Sequence, residues 1–147
     1  MEDKYLYDTS VIWDEGRVGT LSSPTLDSFK VATPPEFPKG VPNTWSPEHL
    51  YVASVNVCLM TTFVAVAENS KLEIESYSCE GTGKLEKVDG KYMFSEIQLK
   101  PVIKIKFEKD KERAERIIHK SEKICLISNS VKTKIILNPQ IITQNNN

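Results

Sequence analysis

The chain has 147 residues, which suits a single domain and is too short for two domains with cores of their own. Hydrophobic residues make up 39% and charged residues 27%, as in ordinary globular proteins. Nineteen basic against twenty acidic residues give a net charge of −1, so the chain lacks the positive field that holds a phosphate backbone, and nucleic acid is not an expected partner.

The N-terminus and the cysteines bear on the compartment. Residues 1–5 lack the basic-then-apolar pattern of a signal peptide. Cys58, Cys79 and Cys125 cannot all pair within one chain, and nothing suggests an exported disulfide framework. We therefore expect a cytoplasmic protein whose thiols are free or redox-active.

The chain is expected to begin with β-structure. Side chains alternate from Tyr5 to Trp13 with the two-residue period of a strand. The expected elements are a strand over residues 5–13, a turn at 14–16, a returning strand over 17–21 and a third strand over 28–32.

A proline-rich break precedes a strong helix start. Residues 33–45 contain four prolines, which excludes a helix or a central strand, and we interpret them as a stiff loop of the kind that often covers a functional site. Ser46 suits the N-cap of a helix, Pro47 its first position, and Glu48 the positive end of the helix dipole. The helix is expected to run to about residue 68.

This helix is apolar on nearly every side. Its apolar residues are Leu50, Val52, Ala53, Val55, Val57, Leu59, Met60, Phe63, Val64 and Val66. Such a helix must be covered all round, and one sheet of so small a domain cannot do so, hence we expect a homodimer. Polar residues interrupt the apolar run and Glu48 and Glu68 flank it, so the pattern favours a buried core helix over a membrane span.

The second half of the chain is expected to hold further strands and one amphipathic helix. Asp89-Gly90 is typical of a tight hairpin turn, and Pro101 should bend its strand or lie at an edge. The expected elements are strands over residues 71–79, 83–88 and 92–107, a helix over 110–124, a last strand over 131–137 and a loose tail over 140–147.

Two cysteines on core-facing helix positions are candidates for redox chemistry. Cys58 lies in the middle of the apolar helix, where cysteine is often only a space-filling residue and burial makes the thiol inert. Cys125 ends the inner face of the second helix, and the same interpretation applies to it. The sequence does not place the two thiols in contact, so space filling and a joint redox role both stay open.

Other polar residues have ordinary explanations as well. Arg17 near a turn fits a solvated surface group, and Glu48 fits a helix N-terminal acid. Cys79 ends a strand and is interpreted as structural. His49 and His119 lack metal-ligand spacing with any cysteine; a zinc site of the two helical cysteines and a histidine is conceivable, but no paired motif supports it.

Taken together, these residues resemble a known family. The run from Ser46 to Cys58 resembles the Pro-Glu-x-Leu…Cys signature of the OsmC/Ohr proteins, the osmotically inducible and organic hydroperoxide resistance families. Residues 125–129 resemble their second cysteine segment, and residues 16–19 their N-terminal arginine turn. The resemblance covers nearly the whole chain. It departs at Leu126, where many members have proline, which leaves the subfamily open.

The resemblance implies an α+β, OsmC-like fold. In this fold antiparallel sheets pack around a long buried central helix, and two chains form an intertwined homodimer. A single domain would span residues 1–147, and the proline-rich loop over residues 33–45 would be a feature of the subfamily.

The resemblance also implies a thiol peroxidase without metal or flavin. Cys58 would be the peroxidatic thiolate and Cys125 the resolving thiol, while Arg17 would supply positive charge and Glu48 would hold the guanidinium. The substrate would be an organic hydroperoxide, with hydrogen peroxide as a second candidate, and the reductant an external dithiol, either a small molecule or a lipoylated protein. About 15 Å of straight helix separates Glu48 from Cys58, so Glu48 must act through Arg17, from the other subunit, or both.

Two other hypotheses stay open. The chain could be a non-catalytic stress-response protein of the same fold that binds a small hydrophobic ligand, or a structural domain with inert core cysteines. The cysteines fit all three hypotheses. The distinguishing observation is whether Cys58 loses its free thiol as peroxide is consumed.

Overall fold

The computed structural model describes residues 3–144, and their strands and helices confirm the α+β class. The chain divides into two units, one ending at Tyr51 and the other beginning at Val52. The elements in chain order are β1 (Ser10–Glu15), β2 (Val18–Ser23), β3 (Leu26–Ala32), α1 (Pro47–Asn69), β4 (Ile74–Val88), β5 (Lys91–Ile105), α2 (Lys111–Ile124), β6 (Lys134–Leu137) and β7 (Gln140–Thr143), with short 3-10 turns at Glu108–Asp110 and Ser128–Ser130.

The first unit contains an antiparallel sheet of β1, β2 and β3 in that order. Gly16, with φ 51°, makes the turn between β1 and β2. β1 begins at Ser10, whereas the alternation predicts a strand from residue 5. Ser10 pairs with Ser22 and β2 ends at Ser23, so the residues before Ser10 extend past the end of their partner strand.

Residues 33–45 form neither helix nor strand, as their prolines predict, apart from one bridge to β3. The backbone N–H of Ala32 donates to the carbonyl of Trp45 at 2.8 Å and closes the base of this loop. A Cβ atom at Gly40 would lie 1.9 Å from the carbonyl oxygen of Pro34, so the loop folds back on itself in a way that only glycine permits.

α1 begins and ends close to the predicted residues. The Oγ of Ser46 accepts the backbone N–H of His49 at 3.1 Å, and Pro47 occupies the first helical position, which confirms the predicted cap. The helix ends at Asn69, and Lys71, with φ 55°, turns the chain away. Local signals in the chain therefore place both the start and the end of α1.

The described chain covers only part of α1. The buried face consists of Val55, Cys58, Leu59, Phe63 and Ala67. On another face Val57, Met60 and Val64 are 55%, 40% and 41% exposed. α1 is long and apolar enough to cross a membrane. This is weak evidence for a membrane span, because the core helix of a globular protein has the same length and composition.

β4 and β5 form one long hairpin, with a single strand β4 where the sequence predicts two. Asp89 and Gly90, with φ 52° and 80°, make the predicted two-residue turn. Gly81 and Gly83, near the predicted interruption, instead let α1 pack closely on β4. A Cβ atom at Gly83 would lie only 2.4 Å from Cγ2 of Val52.

The sheet of the second unit is mixed. β4 pairs antiparallel with β5, whereas β6 and β7 both run parallel to β5. The predicted antiparallel pairing therefore holds within the sheet of β1, β2 and β3 and between β4 and β5, but not for β6 and β7. Pro101 lies within β5 between two neighbours and not in an edge strand. Its missing N–H is tolerated because β5 pairs with β6 as far as Leu99 and with β7 only from Val102 onward, which leaves Pro101 opposite the gap.

The predicted loose tail is wrong for residues 140–143, which form β7. β6 stops at Leu137, so the rest of the β5 edge is free to pair, and β7 occupies it with Ile141 and Thr143 buried. Of the predicted tail, residues 145–147 lie outside the described residues.

α2 is amphipathic, as its spacing predicts. Its buried face consists of Ala114, Ile117, Ile118 and Ser121. The hydroxyl of Ser121 donates to the carbonyl of Ile117 at 2.7 Å, so the buried hydroxyl is satisfied within the helix. Fully buried side chains of β5 complete the core of this unit: Ile97, Leu99, Ile103 and Ile105.

Candidate active site

Two buried free cysteines lie together in the second unit. Cys58 projects from the inner face of α1, and Cys125 is the residue that ends α2. The backbone of Cys125 leaves the helix in an extended conformation, with φ −62° and ψ 117°, and the chain turns immediately afterwards. The thiol of Cys125 lies close enough to that of Cys58 to lower its pKa, so the fold joins two residues that the sequence could not place in contact.

The surroundings of Cys58 favour its thiolate. Burial by itself raises the pKa of this thiol, but hydrogen bonds from the Cys125 thiol, the backbone of Ile127, the hydroxyl of Thr62 and the backbone of Leu126 outweigh burial. The pKa of Cys58 therefore lies below its ordinary value. A lowered pKa favours reaction at a cysteine, because the thiolate and not the thiol is the nucleophile.

The surroundings of Cys125 have the opposite effect. Burial raises the pKa of its thiol, and the neighbouring Cys58 raises it further, while the backbone of Ser128 acts in the other direction with less effect. Cys125 therefore loses its proton less readily than Cys58. The two thiols are chemically unequal, because the pKa of one is lowered and the pKa of the other is raised.

Leu126 takes part through its backbone and not its side chain. The side chain is 68% exposed, whereas the backbone N–H interacts with the sulfur of Cys58 and lowers its pKa. A proline at this position would have no N–H to donate. The departure from the usual proline therefore adds a hydrogen-bond donor to the thiolate of Cys58.

Arg17 and Glu48 both belong to the first unit, and the structure does not join them. Arg17 lies at the turn between β1 and β2 and is exposed. Glu48 lies in the first turn of α1, and its Oε1 is buried without a hydrogen-bond partner among the described residues. No ion pair links the two side chains within residues 3–51. The catalytic roles of Arg17 and Glu48 stay predictions.

The proline-rich loop lines an open cleft of about 440 Å³ in the first unit. Its walls are Pro35, Glu36, Pro42, Asn43, Thr44, Trp45 and His49. The backbone N–H of Ser46 donates to Nδ1 of His49 at 3.2 Å, so in the neutral ring the hydrogen lies on Nε2. The loop thus shapes a concave surface beside the start of α1.

The remaining titratable candidates lie apart from this pair of thiols. Cys79 on β4 is half-buried; burial raises the pKa of its thiol, and its carbonyl accepts the side-chain N–H of Asn56 at 3.2 Å. His119 lies 3.3 Å from Glu115 on the exposed side of α2. Among residues 3–144 no group of three His, Cys, Asp or Glu side chains is arranged to hold a metal ion.

Two contributors to the site were not predicted. Thr62 is one of the polar residues that interrupt the apolar helix, and its four-residue spacing from Cys58, which places both on the same face, is the signal that could have identified it. The backbone donors of Leu126 and Ile127 leave no mark in residue type, since every residue except proline has an N–H. Only the turn after α2 directs them at Cys58.

Comparison with known proteins identifies the family. The family model described as OsmC-like protein matches residues 40–139, which is more than half of the chain. No curated protein matches the sequence significantly. The family assignment therefore rests on the match to this family model, whereas similar solved structures show the shared fold.

Several solved structures share the fold at low identity. An OsmC-like protein of unknown function from Vibrio cholerae is 22% identical with a TM-score of 0.84, over 92% of this chain and 99% of that chain. An organic hydroperoxide resistance protein from Elizabethkingia anophelis is 20% identical with a TM-score of 0.77, over 98% and 100%. An organic hydroperoxide resistance protein OsmC from Legionella pneumophila is 22% identical with a TM-score of 0.70, over 95% and 99%. The chain belongs to the OsmC-like family.

Proposed function

We propose that this protein is a thiol peroxidase that reduces organic hydroperoxides through Cys58 and Cys125. The observation that carries the proposal is that two buried free cysteines, Cys58 on α1 and Cys125 at the end of α2, lie together, and the lowered pKa of Cys58 supports it. A peroxidase of this kind needs a thiolate that attacks the peroxide and, beside it, a second thiol that can form a disulfide with the oxidised cysteine.

The proposed reaction has three steps. The thiolate of Cys58 attacks the distal oxygen of the hydroperoxide, the O–O bond breaks, and the leaving alkoxide takes a proton and departs as an alcohol, which leaves a sulfenic acid. The thiol of Cys125 then attacks the sulfenic sulfur, a disulfide forms and water leaves. An external dithiol reduces the disulfide by thiol–disulfide exchange and is itself oxidised to a disulfide.

Arg17 and Glu48 complete the proposed site. Arg17 would stabilise the thiolate and the leaving alkoxide, and Glu48 would hold the guanidinium. The buried Oε1 of Glu48, which lacks a partner among the described residues, supports this role because such an atom calls for a donor such as an arginine. The charge of Arg17 could come from the same chain or from a second copy.

A homodimer is part of the proposal. The exposed apolar stripe of Val57, Met60 and Val64 on α1 supports it, because a second copy of the chain would remove this surface from water. We also propose a cytoplasmic location, where a reducing pool keeps the thiols of Cys58 and Cys125 free between turnovers. The reductant would be a small dithiol or a lipoylated protein.

The substrate class is proposed from two observations. The residues around Cys58 on α1 are apolar, which suits a hydroperoxide with a hydrocarbon tail. Two of the solved structures with this fold are organic hydroperoxide resistance proteins. An alkyl hydroperoxide is therefore expected to react faster than hydrogen peroxide.

The test is peroxide consumption by the reduced protein, with an alkyl hydroperoxide or hydrogen peroxide as oxidant and a small dithiol as reductant. The wild type is compared with Cys58→Ser, Cys125→Ser and the control Cys79→Ser, which removes the thiol lying apart from the pair. Mass spectrometry of the protein after one equivalent of peroxide locates any disulfide.

The proposal predicts that Cys58→Ser abolishes turnover, that Cys125→Ser allows one oxidation of Cys58 but little disulfide-dependent turnover, and that Cys79→Ser behaves as the wild type. A disulfide between Cys58 and Cys125 is expected in the wild type. Turnover that survives in Cys58→Ser, or an absence of both turnover and disulfide with either oxidant, would refute the proposal and favour a protein that binds a hydrophobic ligand without catalysis.

A further inference from the structure

Thr62 lies one helical turn after Cys58 on α1 and points its hydroxyl at the reactive sulfur. The distance between Oγ1 of Thr62 and Sγ of Cys58 is 3.8 Å, which is within the range of a hydrogen bond to sulfur. Thr62 is half-buried, and its neighbours on the buried face are apolar, among them Leu59 and Phe63. Its hydroxyl is therefore a polar group at a position where the helix otherwise presents hydrocarbon.

The adjacent threonine shows that this orientation is not a general property of threonine on α1. Thr61 donates its hydroxyl to the backbone carbonyl of Cys58 at 3.1 Å, the ordinary way in which a helical threonine satisfies its side chain. Thr61 is exposed, whereas Thr62 faces the thiol. Two residues of the same type, one position apart, thus contact the backbone and the sulfur of the same cysteine.

The contact between Thr62 and Cys58 has a direction that depends on the charge of the sulfur. While the thiol is protonated, either atom can donate to the other. Once the thiol has lost its proton, only the hydroxyl of Thr62 can donate, and the hydrogen bond becomes charge-assisted, which makes it about twice as strong as a neutral one. The contact therefore stabilises the thiolate more than the thiol.

We propose that Thr62 is a residue of the reactive site whose hydroxyl stabilises the Cys58 thiolate, a role that rests on the peroxidase function proposed above. The donor and the sulfur lie on one helix, so their geometry depends on neither Arg17 nor a second subunit. The lowered pKa of Cys58, to which the Thr62 hydroxyl contributes, agrees with this role.

The test measures thiolate formation without any peroxide. The reduced protein, with all three cysteines present, is alkylated with iodoacetamide over pH 5 to 10, and the rate at Cys58 is read from its peptide by mass spectrometry. Thr62→Val removes the hydroxyl and keeps the shape, Thr62→Ser keeps the hydroxyl, and Thr61→Val is the matched control. Thr62→Ala replaces Thr62→Val if the valine variant does not fold.

The expected result is a rate for Thr62→Val that is about three- to tenfold lower than the wild type below the midpoint of the pH profile, with equal limiting rates at high pH. Thr62→Ser and Thr61→Val should follow the wild-type profile. A profile of Thr62→Val that overlays the wild type, or a shift of the same size in Thr61→Val, would overturn the proposal.

Peroxide turnover separates this proposal from the function on which it rests. At pH 7 Cys58 should be oxidised more slowly in Thr62→Val than in the wild type. The difference should disappear at high pH, where Cys58 is ionised in both proteins. A shifted alkylation profile in a protein without peroxide turnover would support the role of Thr62 and refute the peroxidase.

Discussion

The packing of α1 on β4 predicts a large effect of a single methyl group at Gly83. The Cβ atom of an alanine there would lie 2.4 Å from Cγ2 of Val52 and 2.9 Å from Cε1 of Phe94. Real Cβ atoms do not approach other atoms so closely, so a neighbour has to move. Valine has one strongly preferred rotamer in a helix, so the backbone of α1 has to shift away from β4. Overpacking of this kind costs about 1–3 kcal/mol.

The assay is urea unfolding in reducing buffer of the wild type, Gly83→Ala, Val52→Ala and the double variant. Gly83→Ala should lower the free energy of unfolding by about 1–3 kcal/mol. Val52→Ala removes the atom that the new methyl group meets. The double variant should therefore be more stable than the sum of the single losses predicts, with a coupling energy of at least about 0.5 kcal/mol.

Gly81→Ala is the matched control on the same strand. Its Cβ atom would lie 3.1 Å from Nδ2 of Asn56 and 3.2 Å from Cδ2 of Leu99, distances that small side-chain movements can relieve. Its loss of stability should be smaller than that of Gly83→Ala. Equal losses for the two variants, or strictly additive losses for Gly83→Ala and Val52→Ala, would refute the close packing of α1 on β4.

Three further measurements test the site and the start of α1. Cys125→Ala should raise the pKa of Cys58, because it removes a group that lowers this pKa. Cys58→Ala should lower the pKa of Cys125, because Cys58 raises it. Unchanged pH profiles of alkylation would contradict the interaction of the two thiols. The wild type should lose stability above about pH 8.5 in part because burial raises the pKa of Cys79 in the folded state, so that this thiol ionises more readily when unfolded. Cys79→Ala should make the alkaline loss shallower in urea unfolding under reducing conditions, and equal slopes would argue against this cause. Ser46→Ala should lower the free energy of unfolding by about 1 kcal/mol, because its hydroxyl accepts the N–H of His49 at 3.1 Å; an unchanged urea midpoint would contradict the cap.

The elements with strong local signals could be predicted from the sequence. The cap at Ser46 and Pro47 places the start of α1, Asp89-Gly90 places the hairpin, and the apolar spacing of α2 identifies its buried face. These signals act within a few residues of the chain, through backbone hydrogen bonds and side-chain periodicity. They hold whatever the rest of the fold does.

The features that local signals did not predict depend on partners distant in sequence. β4 is one strand because Gly81 and Gly83 face a helix and do not end a strand, and Pro101 is tolerated within β5 because the neighbouring strands change beside it. β7 forms because part of the β5 edge is unoccupied after Leu137. None of these circumstances can be read from the residues of the element itself.

The sequence by itself determined the α+β elements, the long apolar helix with Cys58 at its centre, and the resemblance to the OsmC/Ohr proteins. Only the tertiary structure decided that Cys58 and Cys125 interact, and that one favours the thiolate and the other the thiol. The reason is physical: the pKa of a thiol depends on burial and on the donors around it, and apart from Thr62 on the same helix these come from Cys125 and the turn after α2, which are distant from Cys58 in sequence. Residue types identify the candidates, and the fold brings Cys58 and Cys125 together.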